Sequence, residues 1–243
     1  MKESNTAVLK QTKEGARANP GFVTAVLLAV LAAATFGVAM CTPPISGPFV
    51  TGGIQYPYAD IASRFPRDYY WMYPAIALVL AFVILTVCID QHTSGGKKLC
   101  SRIAVAFACL SAGIISLDYF MQVSIIQPAV LNGETDGIAL WTQYNPHGAF
   151  IVLEEFGYIL MSISLLFLAL VFKGRGAQNK IRWTGILCFA ATVATLVIMS
   201  VLYGVLREYR FEVVVIAIDL TALILLGIFT GQYFRKEAAE NQS

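Results

Sequence analysis

The sequence predicts an all-α fold, a polytopic transmembrane helical bundle of six spans with both termini in the cytoplasm. Of the 243 residues, 57% are hydrophobic and 13% are charged, whereas a soluble domain has about 25% charged residues. Six apolar runs reach the length of about 20 residues that crosses the hydrocarbon core of a bilayer. Lys and Arg are concentrated in alternate connections between these runs, as in multi-pass membrane proteins.

The predicted transmembrane domain covers residues 21–234, between a cytoplasmic leader at residues 1–20 and a cytoplasmic tail at residues 235–243. Because no A-x-A cleavage site follows the first run, we interpret it as a retained helix; a cleaved signal that leaves five helices is the alternative. The six predicted spans are residues 21–41, 70–89, 103–126, 148–172, 183–206 and 213–234.

Local signals support several of these starts. Asn19-Pro20 and Asn145-Pro146 each place an N-cap residue before a proline at the first helical position, ahead of spans one and four. Span two begins in a cluster of aromatic residues, as is typical of a membrane interface. This aromatic belt consists of Tyr69, Tyr70, Trp71 and Tyr73.

The basic residues predict the orientation. The leader, the connections after spans two and four, and the tail carry 13 Lys and Arg residues, whereas the other three connections carry 4. The positive-inside rule therefore predicts a cell-membrane protein with both termini in the cytoplasm. The two long outer connections, residues 42–69 and 127–147, are expected either to cover the mouth of the bundle or to act only as connectors.

Four acidic residues lie inside apolar runs: Asp118, Glu154, Glu155 and Asp219. Carboxylates within a membrane are costly, so they usually face a cavity, a partner or a transport path. With the predicted orientation and a rise of 1.5 Å per residue, all four lie roughly 9–12 Å below the outer surface. Three helices thus place acids at similar depth, and only one of Glu154 and Glu155 needs to point inward. The alternative for Asp118 and Asp219 is a structural ion pair.

Helical spacing adds three candidate ligand-binding residues. Gln122 shares a face with Asp118, four residues apart, while His147 and Tyr158 share a stripe with Glu154 at offsets of seven and four. For Gln122 and Tyr158 the alternative is a structural role in hydrogen bonding between helices, and for His147 it is a solvated helix start. Outside these sets, Glu212 is expected at the membrane interface, and Arg207, Glu208 and Arg210 are expected in a solvated turn.

Several activities are excluded by the residues that they require. The five cysteines form no C-x-x-C pair and there are two histidines, so we predict no metal site and no cofactor. Glu154-Glu155 is similar to the paired glutamates of membrane CAAX-type proteases, but Ile159 stands where that motif has arginine. Phosphate-binding and hydrolase motifs are missing.

The expected partners are the lipid bilayer and an unidentified small-molecule or lipid-like ligand, and no nucleic acid is expected. The sequence does not determine the oligomeric state.

One resemblance extends over most of the chain. It rests on the segments 56–60 and 65–69 before the second span, and on 143–148 with the following Leu153-Glu154-Glu155. In these segments the chain resembles a group of bacterial six-span integral membrane proteins with no established activity. The resemblance implies a prokaryotic setting and implies nothing about mechanism.

The leading functional prediction is a membrane protein that binds a small cationic or polar solute in an outward-opening cavity lined by carboxylates, with transport of that solute as an optional further step. Protonation of those carboxylates would be the coupling event. One alternative is a membrane-embedded enzyme that uses a carboxylate pair as general acid and base on a lipid-like substrate, although the sequence favours a non-enzyme. Another is a non-catalytic scaffold or sensor, which should tolerate loss of the acids.

Overall fold

The computed structural model describes residues 19–42 and 54–240, and within them all regular secondary structure is helical. Six long helices are each, with their flanking turns, long and apolar enough to cross a membrane. They are α1 Pro20–Cys41, α2 Met72–Gln91, α3 Lys98–Met121, α4 Ala149–Val171, α5 Ala177–Tyr203 and α6 Glu208–Glu240. The predicted all-α fold with six candidate spans is confirmed.

Some predictions lie outside the described residues or are not decided by the structure. Residues 1–18, most of the predicted leader, are outside the described part, as are residues 43–53 of the first long connection and residues 241–243 of the tail. Sidedness stays a prediction. We therefore name the two ends of the bundle by residues. The Asp68 end carries the α1–α2, α3–α4 and α5–α6 connections, and the His92 end carries the other two.

Three helices differ in extent from the sequence prediction. The fifth begins at Ala177, six residues before the predicted start at residue 183. The third continues past Met121 through a π-helical turn, Gln122–Ile126, into a further α turn that ends at Leu131. Pro128 lacks an N–H group, which removes one i to i−4 hydrogen bond and favours such a distortion. The sixth begins at Glu208 rather than Val213, because the turn after α5 is short.

The capping predictions have mixed outcomes. Asn19 is the N-cap of α1, and its side-chain oxygen accepts a hydrogen bond from the Gly21 N–H at 2.9 Å, as predicted. Asn145 was predicted to cap the fourth span, and that prediction is wrong. The N-cap of α4 is Gly148, while the Asn145 side chain closes a turn by accepting from the His147 N–H at 3.0 Å.

Close helix crossings at glycines hold the bundle together. Helix α4 packs against α3, α5 and α6, while α1 packs against α2 and α6. A Cβ at Gly157 would lie 2.5 Å from the Ile115 side chain of α3, and one at Gly227 would lie 2.6 Å from the α1 carbonyl of Ala25. A Cβ at Gly185 of α5 would overlap the Leu165 carbonyl of α4. Small residues therefore let the backbones approach, as is common in membrane bundles.

Candidate functional site

The approach of α3 to α4 sets the level of the acidic side chains. The Ser111 hydroxyl of α3 donates to the Gly157 carbonyl of α4 at 2.7 Å. Ser164 of α4 donates to the Ala104 carbonyl of α3, also at 2.7 Å. These two bonds fix the register of the helix pair. Asp118, two turns beyond Ser111, is thereby brought level with the start of α4.

Tyr119 connects the two helices at the centre of the site. Its side chain is fully buried, and its hydroxyl donates to a carboxylate oxygen of Glu154. The Tyr158 hydroxyl lies 3.1 Å from the same hydroxyl. The Tyr119 ring also contacts Trp71, the N-cap residue of α2, edge-on at a centroid distance of 4.9 Å. Sequence analysis missed Tyr119, since an aromatic residue in an apolar span carries no signal that separates hydrogen bonding from packing.

Glu212 adds a second carboxyl group against Glu154. The two carboxyl groups lie close enough to interact directly, and the Oε2 atom of each has no hydrogen-bond partner among the described residues. Two buried carboxyl groups this close avoid a contact between like charges when one of them carries a proton. Glu212 was predicted at the membrane interface; the structure shows that its side chain is buried inside the bundle, 7% exposed, because α6 begins at Glu208. We call Asp118, Glu154, Glu155 and Glu212 the acidic cluster.

Glu154 and Glu155 are both buried but have different partners. Glu154 faces Tyr119 and Glu212 inside the bundle, whereas Glu155 forms an ion pair with Arg207 at 3.0 Å. The Arg207 side chain is 28% exposed and lies over the Phe211 ring, 5.5 Å from its centroid. Arg207 was expected in a solvated turn; it instead brings a positive charge from the α5–α6 connection to the edge of the cluster.

Asp118 and Asp219 are buried with incomplete hydrogen bonding. Asp118 is 1% exposed, lies within electrostatic range of Glu154 and Glu212, and has an Oδ2 atom with no hydrogen-bond partner. Asp219 is fully buried; its Oδ1 accepts from the Cys188 thiol at 3.3 Å, and its Oδ2 has no such partner. Asp219 lies seven residues after Glu212, so it is about 10 Å deeper along α6. No described hydrogen bond joins it to the cluster.

The remaining predicted site residues, Gln122 and His147, lie towards the Asp68 end. The Gln122 side chain donates to the Trp141 carbonyl at 2.5 Å and accepts from the Gln143 N–H at 3.2 Å. Its amide therefore anchors the α3–α4 connection. His147 is exposed in the turn before α4, about two helical turns from Glu154. Their predicted roles as ligand-binding residues stay predictions.

A buried aspartate at the Asp68 end joins the two long connections. Asp68 has no exposed surface and pairs with Arg64 at 2.8 Å and with Arg67 at 2.9 Å. The Tyr144 hydroxyl, 76 positions along the chain, donates to the Asp68 carboxylate at 2.9 Å. The Trp71 indole N–H donates to the Asp68 carbonyl at 3.0 Å, and the same ring packs on Tyr119. We call Arg64, Arg67, Asp68, Trp71 and Tyr144 the Asp68 latch, and its Trp71 ring links it to Tyr119 beside the acidic cluster.

Tyr144 stays protonated in the latch. Burial, together with neighbouring Tyr69 and Asp68, raises the pKa of the Tyr144 phenol well above its ordinary value of about 10. A neutral phenol keeps its hydrogen and can donate to the Asp68 carboxylate. The sequence gives no local signal for this contact, because the two residues belong to different connections.

Apart from Glu155, the buried carboxyl groups in this part of the bundle have no described cationic side chain close to them. Among the described residues, no Lys, Arg or His nitrogen lies within 4.0 Å of the carboxyl groups of Asp118, Glu154, Glu212 or Asp219. Nor do His, Cys, Asp and Glu side chains in the described part gather in threes as metal ligands would. Protons or a bound cation are therefore required to neutralise these carboxylates.

Comparisons with protein-family models, curated proteins and solved structures return no match to this chain. Six apolar helices are consistent with an integral membrane protein in a lipid bilayer. Anything finer about its function is inferred from the side chains of the site alone.

Proposed function

We propose that the protein binds a small cationic solute at the acidic cluster, releases a proton in exchange, and thereby carries the solute across the membrane. The observation that supports this most is the carboxyl contact between Glu154 and Glu212. A proton shared by the two carboxyl groups holds the pair together, and a cation that contacts both groups can take the place of that proton. Removal of the proton without a replacement would leave two like charges in contact at a buried site.

The arrangement of hydrogen-bonding groups suits a solute that replaces a proton. Tyr119 and Tyr158 supply neutral hydroxyl groups that orient Glu154, and Asp118 supplies a further buried acid within electrostatic range. The Tyr119 ring packs against Trp71 and Phe150, so three aromatic side chains lie together beside Glu154. Aromatic faces and carboxylates together attract ammonium and guanidinium ions. An organic cation of this kind is the class of solute that we propose.

The enclosure of the cluster is compatible with a carrier. All of its acidic side chains are at most 7% exposed, and the Trp71 ring of the Asp68 latch packs against Tyr119. A solute can enter only when this end opens, and it can leave towards the other side only when a second path opens. Alternating access of this kind is the general mechanism of secondary transporters. The same enclosure disfavours an enzyme, because the Glu154 and Glu212 carboxyl groups are buried and lie close together.

Cation-dependent stabilisation tests the binding step. Purified protein in detergent is melted at pH 6 and pH 8 with sodium, potassium, ammonium, methylammonium, guanidinium or choline chloride at matched ionic strength. We expect at least one organic cation to raise the Tm, and to do so more at pH 8, because protons compete at pH 6. Glu212→Gln should abolish the effect, while Glu134→Gln, an exposed acid at the same end, should preserve it.

Stabilisation that is independent of pH, or that survives in Glu212→Gln, would overturn the proposed exchange. The transport step has its own assay in proteoliposomes that enclose a pH-sensitive dye. External addition of the stabilising cation should make the lumen alkaline as protons leave in exchange. Binding without any change in luminal pH would contradict the carrier and leave a receptor.

A further inference from the structure

A groove on the outside of the bundle runs between α5 and α6, away from the acidic cluster. Its volume is about 710 Å³, within the range of about 300–1,000 Å³ that is typical of small-molecule sites. The lining is apolar except at a few positions. The residues that line it are Lys180, Trp183, Thr184, Leu187, Cys188, Val213, Val214, Ala217, Ile218, Thr221, Ala222, Leu225 and Phe229.

The groove follows from the way α5 sits on its neighbours. The buried residues of α5 are Ile181, Gly185, Cys188 and Thr192, which form one stripe. Gly185 has no side chain, so α5 lies directly against the α4 backbone at Leu165. Small residues of α6, including Ala217, then leave a trough beside Trp183 and Leu187. These two side chains are 51% and 60% exposed.

One positive charge marks one end of the groove. The Lys180 ammonium lies over the Phe229 ring, 5.2 Å from its centroid. Among the described residues, no carboxylate lies within 4.0 Å of Lys180. Trp183, one turn along α5, is an aromatic residue of the type that lies at the membrane interface. The groove thus combines an apolar trough with an unneutralised cation where lipid headgroups are expected.

We propose that the α5–α6 groove binds one anionic phospholipid of the surrounding bilayer. Its phosphate contacts Lys180, and one acyl chain lies along α6 from Phe229 towards Val213. These two α6 residues are about 24 Å apart along the helix axis, which is the scale of an extended acyl chain. The predicted orientation places Lys180 at the cytoplasmic surface, where anionic lipids are enriched and attract basic residues.

The charge also argues against a second copy of this chain as the occupant. In a dimer whose two copies both have the predicted orientation, the two-fold axis lies along the bilayer normal, so equivalent residues lie at equal depth. Two Lys180 side chains would then face one interface without an acidic partner. A lipid phosphate removes that repulsion, and an apolar chain fills the trough.

Native mass spectrometry of protein released from vesicles tests this site. The vesicles contain equal amounts of phosphatidylcholine and phosphatidylglycerol with matched acyl chains. We expect one retained phosphatidylglycerol per wild-type protein. Lys180→Gln should reduce the preference for phosphatidylglycerol about five-fold, the scale of one lysine near an anionic surface. The matched control is Lys236→Gln, an exposed lysine of α6 near the same end that pairs with Glu240, and it should behave as wild type.

Ala217→Trp tests the contact with the acyl chain separately from the contact with the headgroup, because the new side chain fills the trough and leaves Lys180 in place. It should remove the retained lipid of either type. Equal retention of the two lipids by wild type, or equal loss in both lysine variants, would overturn the proposal. Displacement of phosphatidylglycerol from wild type by inorganic phosphate, with retention unaffected by Ala217→Trp, would instead indicate a free-anion site. A wild-type dimer that becomes a monomer in the Ala217→Trp variant would indicate a second copy of the chain as the occupant.

Discussion

Tyr119→Phe is the sharpest single change at the site, because it removes one hydroxyl and leaves the buried ring. The Glu154 carboxylate then loses its donor in a fully buried position, and Tyr158 loses a partner. An unsatisfied buried polar group costs about 1–3 kcal/mol, whereas an average interhelical hydrogen bond in a bilayer contributes about 0.6 kcal/mol. We therefore expect a loss of about 1–2 kcal/mol, which lowers the Tm by roughly 2–8 °C for a chain of this size.

Thermal unfolding in detergent measures this change, and Tyr73→Phe provides the control. Tyr73 is 56% exposed near the start of α2, so loss of its hydroxyl should leave the Tm within about 1 °C of wild type. A double-mutant cycle locates the effect. In a Glu154→Leu background, the same change at Tyr119 should cost at least about 0.5 kcal/mol less, since contacting residues are coupled. Equal Tm values for the Tyr119 and Tyr73 variants, or an additive cycle, would refute the reasoning.

Three further predictions use unfolding of the purified protein in detergent as the measurement. Arg207→Gln leaves Glu155 buried beside a neutral group, so stability should fall by about 1–3 kcal/mol; unchanged stability would mean that the ion pair contributes nothing. Gly157→Val forces side-chain atoms into Ile115 and should cost about 1–3 kcal/mol by overpacking, which a wild-type Tm would contradict. Because the pKa of Tyr144 is raised on folding, its contribution is full below about pH 10 and is lost as the pH rises further. Tyr144→Phe should therefore flatten the stability curve above pH 10, and an unchanged curve would exclude this tyrosine as the cause.

The fold could be predicted because apolar runs of span length are a strong signal. Asp118, Glu154, Glu155 and Asp219 could likewise be identified as candidate site residues, since each interrupts such a run. What the sequence could not give was the partner of each acid. Both glutamates are buried, and their adjacency in the chain does not reveal that one meets α6 while the other meets the α5–α6 connection.

Two site residues were missed for identifiable physical reasons. Glu212 was placed outside the sixth span because the apolar run begins at Val213, whereas helix formation continues outward to Glu208. Hydropathy marks where a helix becomes apolar, and it does not mark where the helix begins. Tyr119 lies next to Asp118, but its role depends on a carboxylate 35 positions away. Contacts between distant helices depend on packing, which a single sequence does not display.

The depth argument for the acids needs a similar refinement. Counting from a start at Val213 placed Asp219 level with Glu154. With α6 beginning at Glu208, Glu212 meets Glu154, and Asp219 lies deeper beside Cys188. The Pro128 signal for the π-helical turn was present in the sequence and could have been used.

Infrared difference spectroscopy of the reconstituted protein tests the shared proton most directly. A protonated carboxyl group has a carbonyl stretch that a carboxylate lacks, so its signal reports the Glu154–Glu212 pair. We predict that a carboxyl band present at neutral pH disappears when the stabilising organic cation is added, and that a Glu154→Gln/Glu212→Gln double variant lacks this cation-dependent change, whatever bands Asp118 and Asp219 contribute. Carboxyl bands that stay unchanged at saturating cation, or a cation-dependent loss that survives in the double variant, would contradict the exchange of a proton for a cation at this site.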